Sequence, residues 1–471
     1  MALRFLAVLL LATGAAASPL DPRHLLPTFA PVLSDRATGC NALPIAALTL
    51  ADLVDLALCR NPATAVAWAS VRGAAAQTGI ARAAQLPTVS ASIGPTLSRT
   101  DSFGGQRFTT GTGQSFTATS NSTDLGSSAS LALNYLLFDF GGRAARIDAA
   151  RAGQRAALAN FADTAQTVAL NTVTAYNNLA ASRASVTAGQ ASVVFARRSF
   201  DTAAARQRAG VATPADRLQA ETALAQAELT LRQAEGSART AAGTLSATVG
   251  LPPTATLDLA PVPPLAGTDR LTRDVATLIA DAERLRPDLG RASATLHQAE
   301  ANARAARSDA RPSVGVNAQN NLNYANSTND RNSASVGLSL SVPIFSGWQA
   351  TYSRVAAQAE VERSTAALEQ TRQQAGLDVF TNATALDTQI RVLATARVLI
   401  ASATASADIA EGRFRAGVGT FTELLNAQSA LANARQQLVN ADFGVRNAQA
   451  QLARSVGEIG AAVDDFRGAL R

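Results

Sequence analysis

Four stretches of the chain alternate apolar and polar residues one by one. Over 335–342 the even positions are Val336, Leu338, Leu340 and Val342, and the odd ones are Ser335, Gly337, Ser339 and Ser341. Before it, 313–324 sets Val314 and Val316 against Ser313, Gly315, Asn317, Gln319 and Asn321. Upstream, Leu131, Leu133, Tyr135 and Leu137 alternate with Ser130, Ala132 and Asn134, and Val89, Ala91, Ile93 and Leu97 with Ser90, Ser92, Gly94 and Thr96. A period of two marks a strand with one apolar and one wet face. A half-buried sheet in a soluble domain would alternate too. Here, however, the polar positions are small and uncharged, and the strands run about ten to twelve residues, enough to cross a bilayer when tilted. Phe138, Phe140, Phe345 and Trp348 cluster where strands end, as in the aromatic girdle of a membrane barrel. Four strands cannot close a barrel, and lipid does not tolerate an open sheet edge, so the pattern predicts an oligomer.

Elsewhere the period is helical. Segments 142–209 and 348–416 predict helices of about 100 Å each. The returning helices 213–249 and 420–456 span about 54 Å, and helices near 61–85 and 287–311 add about 36 Å. The two shorter helices together nearly match the long one, which predicts two columns per copy, one continuous and one broken at mid-height. Leu424, Leu431, Leu438, Val445 and Leu452 recur every seven residues, interleaved with Ala427, Ala434, Ala441 and Ala448. Leu224, Leu231 and Leu245 do so around Ala220, Ala227, Ala234 and Ala241. Such a heptad, with alanine in one register, predicts closely supercoiled neighbours. A free-standing trimeric coiled coil, structural or adhesive, is the alternative, and it leaves the hairpins unexplained.

The order helix, hairpin, long helix, tight turn, helix occurs twice. Asn61-Pro62 recurs as Arg286-Pro287 and Arg82…Pro87 as Arg307…Pro312, 225 residues on; Phe138, Arg208-Ala209-Gly210-Val211 and Gly250 recur 207 residues on. Between 208–231 and 415–438, 12 of 24 positions are identical. The change of offset places 18 extra residues in the first copy between Pro87 and Phe138, where 100–121 is Ser/Thr/Gly-rich and reads as a loop. The organisation predicted is a signal peptide at 1–17, a leader at 18–49, repeat 1 at 50–250 (hairpin 87–138), a linker at 251–271, repeat 2 at 272–457 (hairpin 312–345) and a tail at 458–471. Five prolines in 251–267 prevent that linker from being helical.

Composition removes other readings. Of 471 residues 105 are alanine, and aromatics make up only 5%, too little bulk for compact globular cores and right for close-packed helices. All 41 basic residues are arginine, which excludes P-loop and Schiff-base lysine chemistry. The two histidines, His24 and His297, sit in a Pro-rich leader and a helical stretch, so neither enzyme chemistry nor a metal or cofactor is implied. The net charge of +6 comes from arginines spread singly among acids, which fits solvated helix faces better than a nucleic-acid surface. Arg4, the apolar run 5–11 and Ala15-Ala16-Ala17 have the form of a secretory signal, with no cysteine after it for a lipid anchor, and no later run suggests a membrane-spanning helix. In an exported chain the only two cysteines, Cys40 and Cys59, are expected to pair, two free thiols being the alternative.

The strand-to-helix corners Leu137-Phe138-Asp139-Phe140-Gly141-Gly142-Arg143 and Pro343-Ile344-Phe345-Ser346-Gly347-Trp348, with the tips Arg208-Ala-Gly-Val-Ala-Thr-Pro-Ala-Asp216 and Arg415-Ala-Gly-Val-Gly-Thr-Phe-Thr-Glu423, resemble the TolC-like outer-membrane factor family. The resemblance covers nearly the whole chain after the signal. It implies a homotrimer in the Gram-negative outer membrane, with twelve strands in one β-barrel and twelve helical columns in a periplasmic tunnel. It also implies a passive exit duct working with a periplasmic adaptor and an inner-membrane ABC or proton-driven transporter. The leader cysteines around 48–58 look closer to type I secretion components of the cyclolysin-exporting kind than to multidrug efflux members. By the same resemblance Gly210, Val211, Thr213, Gly417, Val418, Gly419 and Thr420 are the adaptor-docking tips. Asp216, Gln219, Glu423 and Asn426, which fall outside the Leu/Ala seam, are candidates for the periplasmic gate, although Asn426 is uncharged where the family carries an acid.

Overall fold

The computed structural model describes residues 47–101, 106–118, 121–262, 274–325 and 331–459. The signal segment, His24, Cys40 and the tail beyond 459 lie outside the described residues, as do parts of both hairpin loops and of the linker. In chain order the elements are α1 (Leu50–Arg60), α2 (Pro62–Ala83), β1 (Thr88–Asp101), β2 (Gln106–Thr109), β3 (Ser115–Ala118), β4 (Asn121–Phe138), α3 (Gly142–Arg208), α4 (Pro214–Thr248), α5 (Val275–Leu285), α6 (Pro287–Ser308), β5 (Ser313–Ala325), β6 (Arg331–Ser341), α7 (Gln349–Arg415) and α8 (Phe421–Val456). Chain contacts divide them into two compact units. One comprises Ala74–Gln154 with Thr295–Thr365 and holds the strands; the other comprises 47–73, Arg155–Ala294 and 366–459 and is helical.

In the first unit β1, β4, β5 and β6 form one antiparallel sheet in that order. Directly paired residues share a face, so the register decides what each face is made of. Val89 pairs with Leu133, Ile93 with Ala129 and Leu97 with Leu125. Tyr135 pairs with Val316, and Val316 with Leu338. All lie on one side. On the other side Ser92 meets Ser130, Asn134 meets Asn317, and Gln319 meets Ser335. The apolar face is open to solvent in the single chain: Ile93, Val336 and Leu338 are 84%, 81% and 72% exposed.

The stretch 100–121 is not simply a loop. β1 continues through Asp101, and β2 pairs with β3 in a separate hairpin turned at Gly113, whose φ of +81 suits glycine. The extra residues of the first hairpin thus carry strand of their own.

In the helical unit, heptad leucines and alanines supply the packing. Leu386, Leu393 and Ala396 of α7 close on Ala441, Val445 and Ala448 of α8, and Ala403 and Ala407 on Ala427, Leu431 and Ala434. The α4 seam is looser: Leu224, Leu245 and Ala220 are buried, while Ala227, Leu231, Ala234 and Ala241 are half-buried. The largest core gathers α1 (Leu53, Ala57), α3 (Val173, Tyr176, Leu179), Leu245 and Val249. The non-helical segment after α4 joins it: Leu48 donates its N–H to the Asp258 carbonyl and accepts from the Ala260 N–H, either side of Leu259, and Leu257, Leu259 and Val262 pack on this core. The described part of the Pro-rich linker is therefore held against the helices.

Two readings change. A single helix was expected before the second hairpin; the chain forms two, α5 and α6, because Pro287 removes a helical N–H and disfavours a helical residue before it. A stretch of α7 is also apolar enough, by length and composition, to cross a membrane, with mean hydropathy 1.4 over an 18-residue window. That overturns the expectation of no such run. It lies inside a 67-residue helix on which Val398 and Ile409 stand exposed.

Candidate functional site: sheet corners, helix tips and helix junctions

Each β-hairpin passes into its long helix through two successive left-handed residues. In the first copy these are Phe140 (φ +51) and Gly141 (φ +88); in the second they are Gly347 (φ +61) and Trp348 (φ +64). The positions match at the 207 offset with glycine and aromatic exchanged. A side chain in this conformation costs about 1–2 kcal/mol, so each corner holds an aromatic at a strained position where glycine would sit more easily. Phe138 packs edge-on to Phe140, ring centres 4.8 Å apart, and Phe345 edge-on to Trp348 at 6.3 Å. All four rings are exposed. A bulge between Leu136 and Phe138 returns Phe138 to the apolar face opposite Val314.

At the far ends of α3 and α7 the chain reverses through matching turns. Gly210 donates to the Gln207 carbonyl at 2.9 Å and Val211 to Arg206 at 3.0 Å; Gly417 donates to Phe414 at 3.1 Å and Val418 to Arg413 at 3.1 Å. Both are Schellman closures with glycine at φ +74 and +78. The second turn is tighter: Gly419 also donates to Arg413, and a Cβ there would come within 3.0 Å of Arg413. Thr213 and Thr420 then cap α4 and α8. Val211 and Val418 are exposed.

The four gate candidates separate. Asp216 is half-buried and closes a capping box, its carboxylate accepting from the Thr213 N–H at 3.0 Å and hydroxyl at 2.9 Å. Glu423 offers only its backbone N–H to Thr420, and its carboxylate has no partner among the described residues. Gln219, Glu423 and Asn426 are exposed. Beside them lies a contact that heptad reading missed. Phe414 and Phe421 are buried with ring centres 5.5 Å apart, joined by Ala203, Ala220 and Leu424. Arg206 of α3 stacks 4.6 Å over Phe414 and donates to its carbonyl at 3.2 Å. The first-copy counterparts of the two rings are Gln207 and Pro214. The signal was this mismatch inside an otherwise repeated motif.

Among the described residues no cluster of metal-ligating side chains occurs, and His297 is exposed beside Glu300. A model of the outer membrane efflux protein family matches residues 53–251 and 278–458, most of the chain. The chain belongs to the outer membrane efflux protein family. Protein CyaE of Bordetella pertussis is 31% identical over 432 residues, 89% of this chain and 86% of that one. The CmeC outer membrane channel of Campylobacter jejuni superposes with TM-score 0.77 at 18% identity, covering 90% of both chains. The outer membrane protein VceC of Vibrio cholerae superposes with TM-score 0.73 at 20% identity, covering 87% of this chain and 96% of that one. The protein is thus an outer-membrane efflux channel that extends into the periplasm, and not an enzyme.

Successive helices of each half meet at defined joints. The Asn61 amide donates to the Thr248 carbonyl at the end of α4, at 2.9 Å. Its counterpart Arg286 donates to the Ser455 carbonyl near the end of α8, at 3.2 Å. Each helix end left without intrahelical partners is capped by the residue before the next helix's Pro. Gly250 and Gly457, at φ +79 and +95, let the chains approach: a Cβ would lie 2.8 Å from the Arg60 carbonyl and 2.9 Å from Leu285. Buried Arg286 also binds Asp288 at 2.6 Å and Asp378 at 3.1 Å. Burial pushes the Asp288 carboxyl up, but the hydrogen bonds and charge of Arg286, the Leu289 N–H and Arg454 outweigh it and hold it below the ordinary range. Cys59 is disulfide-bonded.

Proposed function

We propose that three copies close a twelve-stranded barrel, continue as a twelve-column periplasmic tunnel, and serve as the exit duct of a tripartite export system. The observation that carries this reading is the sheet. Its four strands have one apolar face and one Ser/Asn/Gln face, and β1 and β6 each leave an edge without a partner strand among the described residues. Lipid makes unsatisfied backbone edges costly, and joining β6 of one copy to β1 of the next removes them. Equal helix lengths in the two halves, 67 and 67, 22 and 22, 11 and 11, 35 and 36, support a two-copy wall of nearly even columns. The exposed apolar residues of α7 suit burial against a neighbouring copy.

The inner-membrane partner is an ABC transporter of type I protein secretion, with the periplasmic adaptor seated on the tips at Gly210, Val211, Thr213, Gly417, Val418, Gly419 and Thr420. The sequence resemblance and the 31% identity to CyaE over 89% of the chain support this choice. Multidrug efflux through a proton-driven pump is the second reading, favoured by the family description. Glu423 and Asn426 line the gate, with Asp216 reserved for its cap and Gln219 beside it. A disulfide between Cys59 and Cys40 ties the leader to α1. Deleting the gene separates the readings: loss of a secreted protein with unchanged drug susceptibility supports type I export, and the reverse overturns it. Purified trimers that never conduct in planar bilayers would overturn the duct itself.

A further inference from the structure

The apolar face of the sheet ends, on its helical side, at a basic collar. The first six residues of α3 and α7, the last two of α2 and α6 and the short links to the strands carry six arginines (Arg82, Arg143, Arg146, Arg307, Arg311 and Arg354) against two aspartates, Asp139 and Asp309. The aspartates are both engaged: Asp139 with Arg143, Asp309 with Arg146. That leaves Arg82, Arg307, Arg311 and Arg354 without a carboxylate among the described residues. Arg307 reaches only the neutral Gln358 amide, at 3.5 Å. Arg311 lies 5.7 Å over the ring of Phe140, one of the exposed corner aromatics. Arg307, Arg311 and Arg354 are exposed and Arg82 half-exposed. At the opposite ends of α3 and α7 the arginines are engaged instead: Arg206, Arg208 and Arg413 donate to the carbonyls of Phe414, Ala204 and Val418, and Arg415 pairs with Glu411.

Water alone gives no reason for four guanidiniums without carboxylates to fall at one end of the strands, one of them over an exposed aromatic ring. A bilayer surface does. Aromatic rings settle at headgroup depth, and arginines just beyond them meet the phosphates; guanidinium matches phosphate in a bidentate fork. We propose that this collar binds anionic phospholipid headgroups of the leaflet facing the periplasm, anchoring the channel's depth and orientation. The inference rests on the membrane-spanning reading of the sheet. It supposes that the collar faces lipid and not the lumen.

The test uses the full-length trimer reconstituted in phosphatidylcholine vesicles with and without a minor fraction of phosphatidylglycerol, followed by extraction and mass spectrometry of co-purifying lipid. The wild type should retain phosphatidylglycerol over phosphatidylcholine, and added inorganic phosphate should not displace it. Arg311→Gln/Arg354→Gln should lower that enrichment by about five-fold for each arginine removed, and high salt should weaken what remains. Arg239→Gln/Arg397→Gln, which removes two arginines elsewhere, should leave it unchanged. Equal retention of both lipids by the wild type, or displacement by inorganic phosphate, would overturn the lipid assignment. So would a collar variant that changes ion selectivity in planar bilayers while its lipid pattern stays wild-type, since that puts the arginines in the lumen. Failure to insert into either vesicle would instead strike the membrane-spanning reading itself.

Discussion

Arg286 and Asn61 hold equivalent places at the two helix joints, so truncating each compares a charged with a neutral cap in one molecule. Asn61→Ala removes two hydrogen bonds, one to the Thr248 carbonyl and one from the Ala63 N–H, together worth about 2 kcal/mol. Arg286→Ala leaves the Ser455 carbonyl without its donor and the half-buried Asp288 without its counter-charge, while Asp378 keeps Gln374 at 2.7 Å. Removing one partner of a buried ion pair costs about 3–5 kcal/mol. Urea unfolding followed by helical circular dichroism should therefore show a loss about twice as large for Arg286→Ala. The pH dependence has a definite sign. In the wild type the native Asp288 value is depressed, so its contribution is present above the unfolded value near about 4 and disappears as pH falls through the lower native value. Without Arg286, burial dominates and raises that value, so the variant should gain stability relative to wild type as pH falls from neutral. Adding Asp288→Ala should recover part of the loss and abolish the reversal. Equal losses for Asn61→Ala and Arg286→Ala, or a wild-type pH profile in Arg286→Ala, would refute the argument.

Three further outcomes are expected. Gly210→Leu with Gly417→Leu forces side chains into left-handed turns at about 1–2 kcal/mol each but meets open space at Gly210 and only Arg206 at Gly417, so trimers should assemble while export fails; normal export would remove the docking role. A cysteine at Gly111, where a Cβ meets nothing and φ is ordinary, should label from outside intact cells; labelling only after the outer membrane is opened would reverse the topology. Glu423→Ala should reduce cation selectivity and divalent block in planar bilayers, and an unchanged reversal potential would place Glu423 outside the pore.

Periodicity made most of the fold readable. The strict alternation in 335–342 and the heptad through Leu424, Leu431 and Val445 each reflect one repeated environment, and a repeated environment leaves a repeated pattern. The two-copy offset marks the corners and tips in the sequence itself. What stayed hidden has no period. Among the described residues the β2–β3 hairpin occurs once, in Ser/Thr-rich sequence that looks like loop. The Arg206–Phe414–Phe421 contact joins residues distant in sequence and has no counterpart in the first copy. Asn61 and Arg286 were visible as aligned landmarks, but their role depends on which carbonyl lies opposite, and that is a fact of tertiary packing.

The differences between the copies therefore carry information that their likeness does not. Shared positions, such as Gly210 with Gly417 or Thr213 with Thr420, build the same turn twice because the backbone demands it. Several of the places where the copies part are helix ends: Asn61 against Arg286, Gln207 against Phe414, Pro214 against Phe421, Asp139 against Ser346. Helix ends are where unsatisfied backbone groups and helix dipoles make a single side chain count most. A wall of nearly equal columns can be encoded by repetition. Substitutions at such ends change a single cap while leaving the heptad packing alone, which makes them good targets for separating assembly from function.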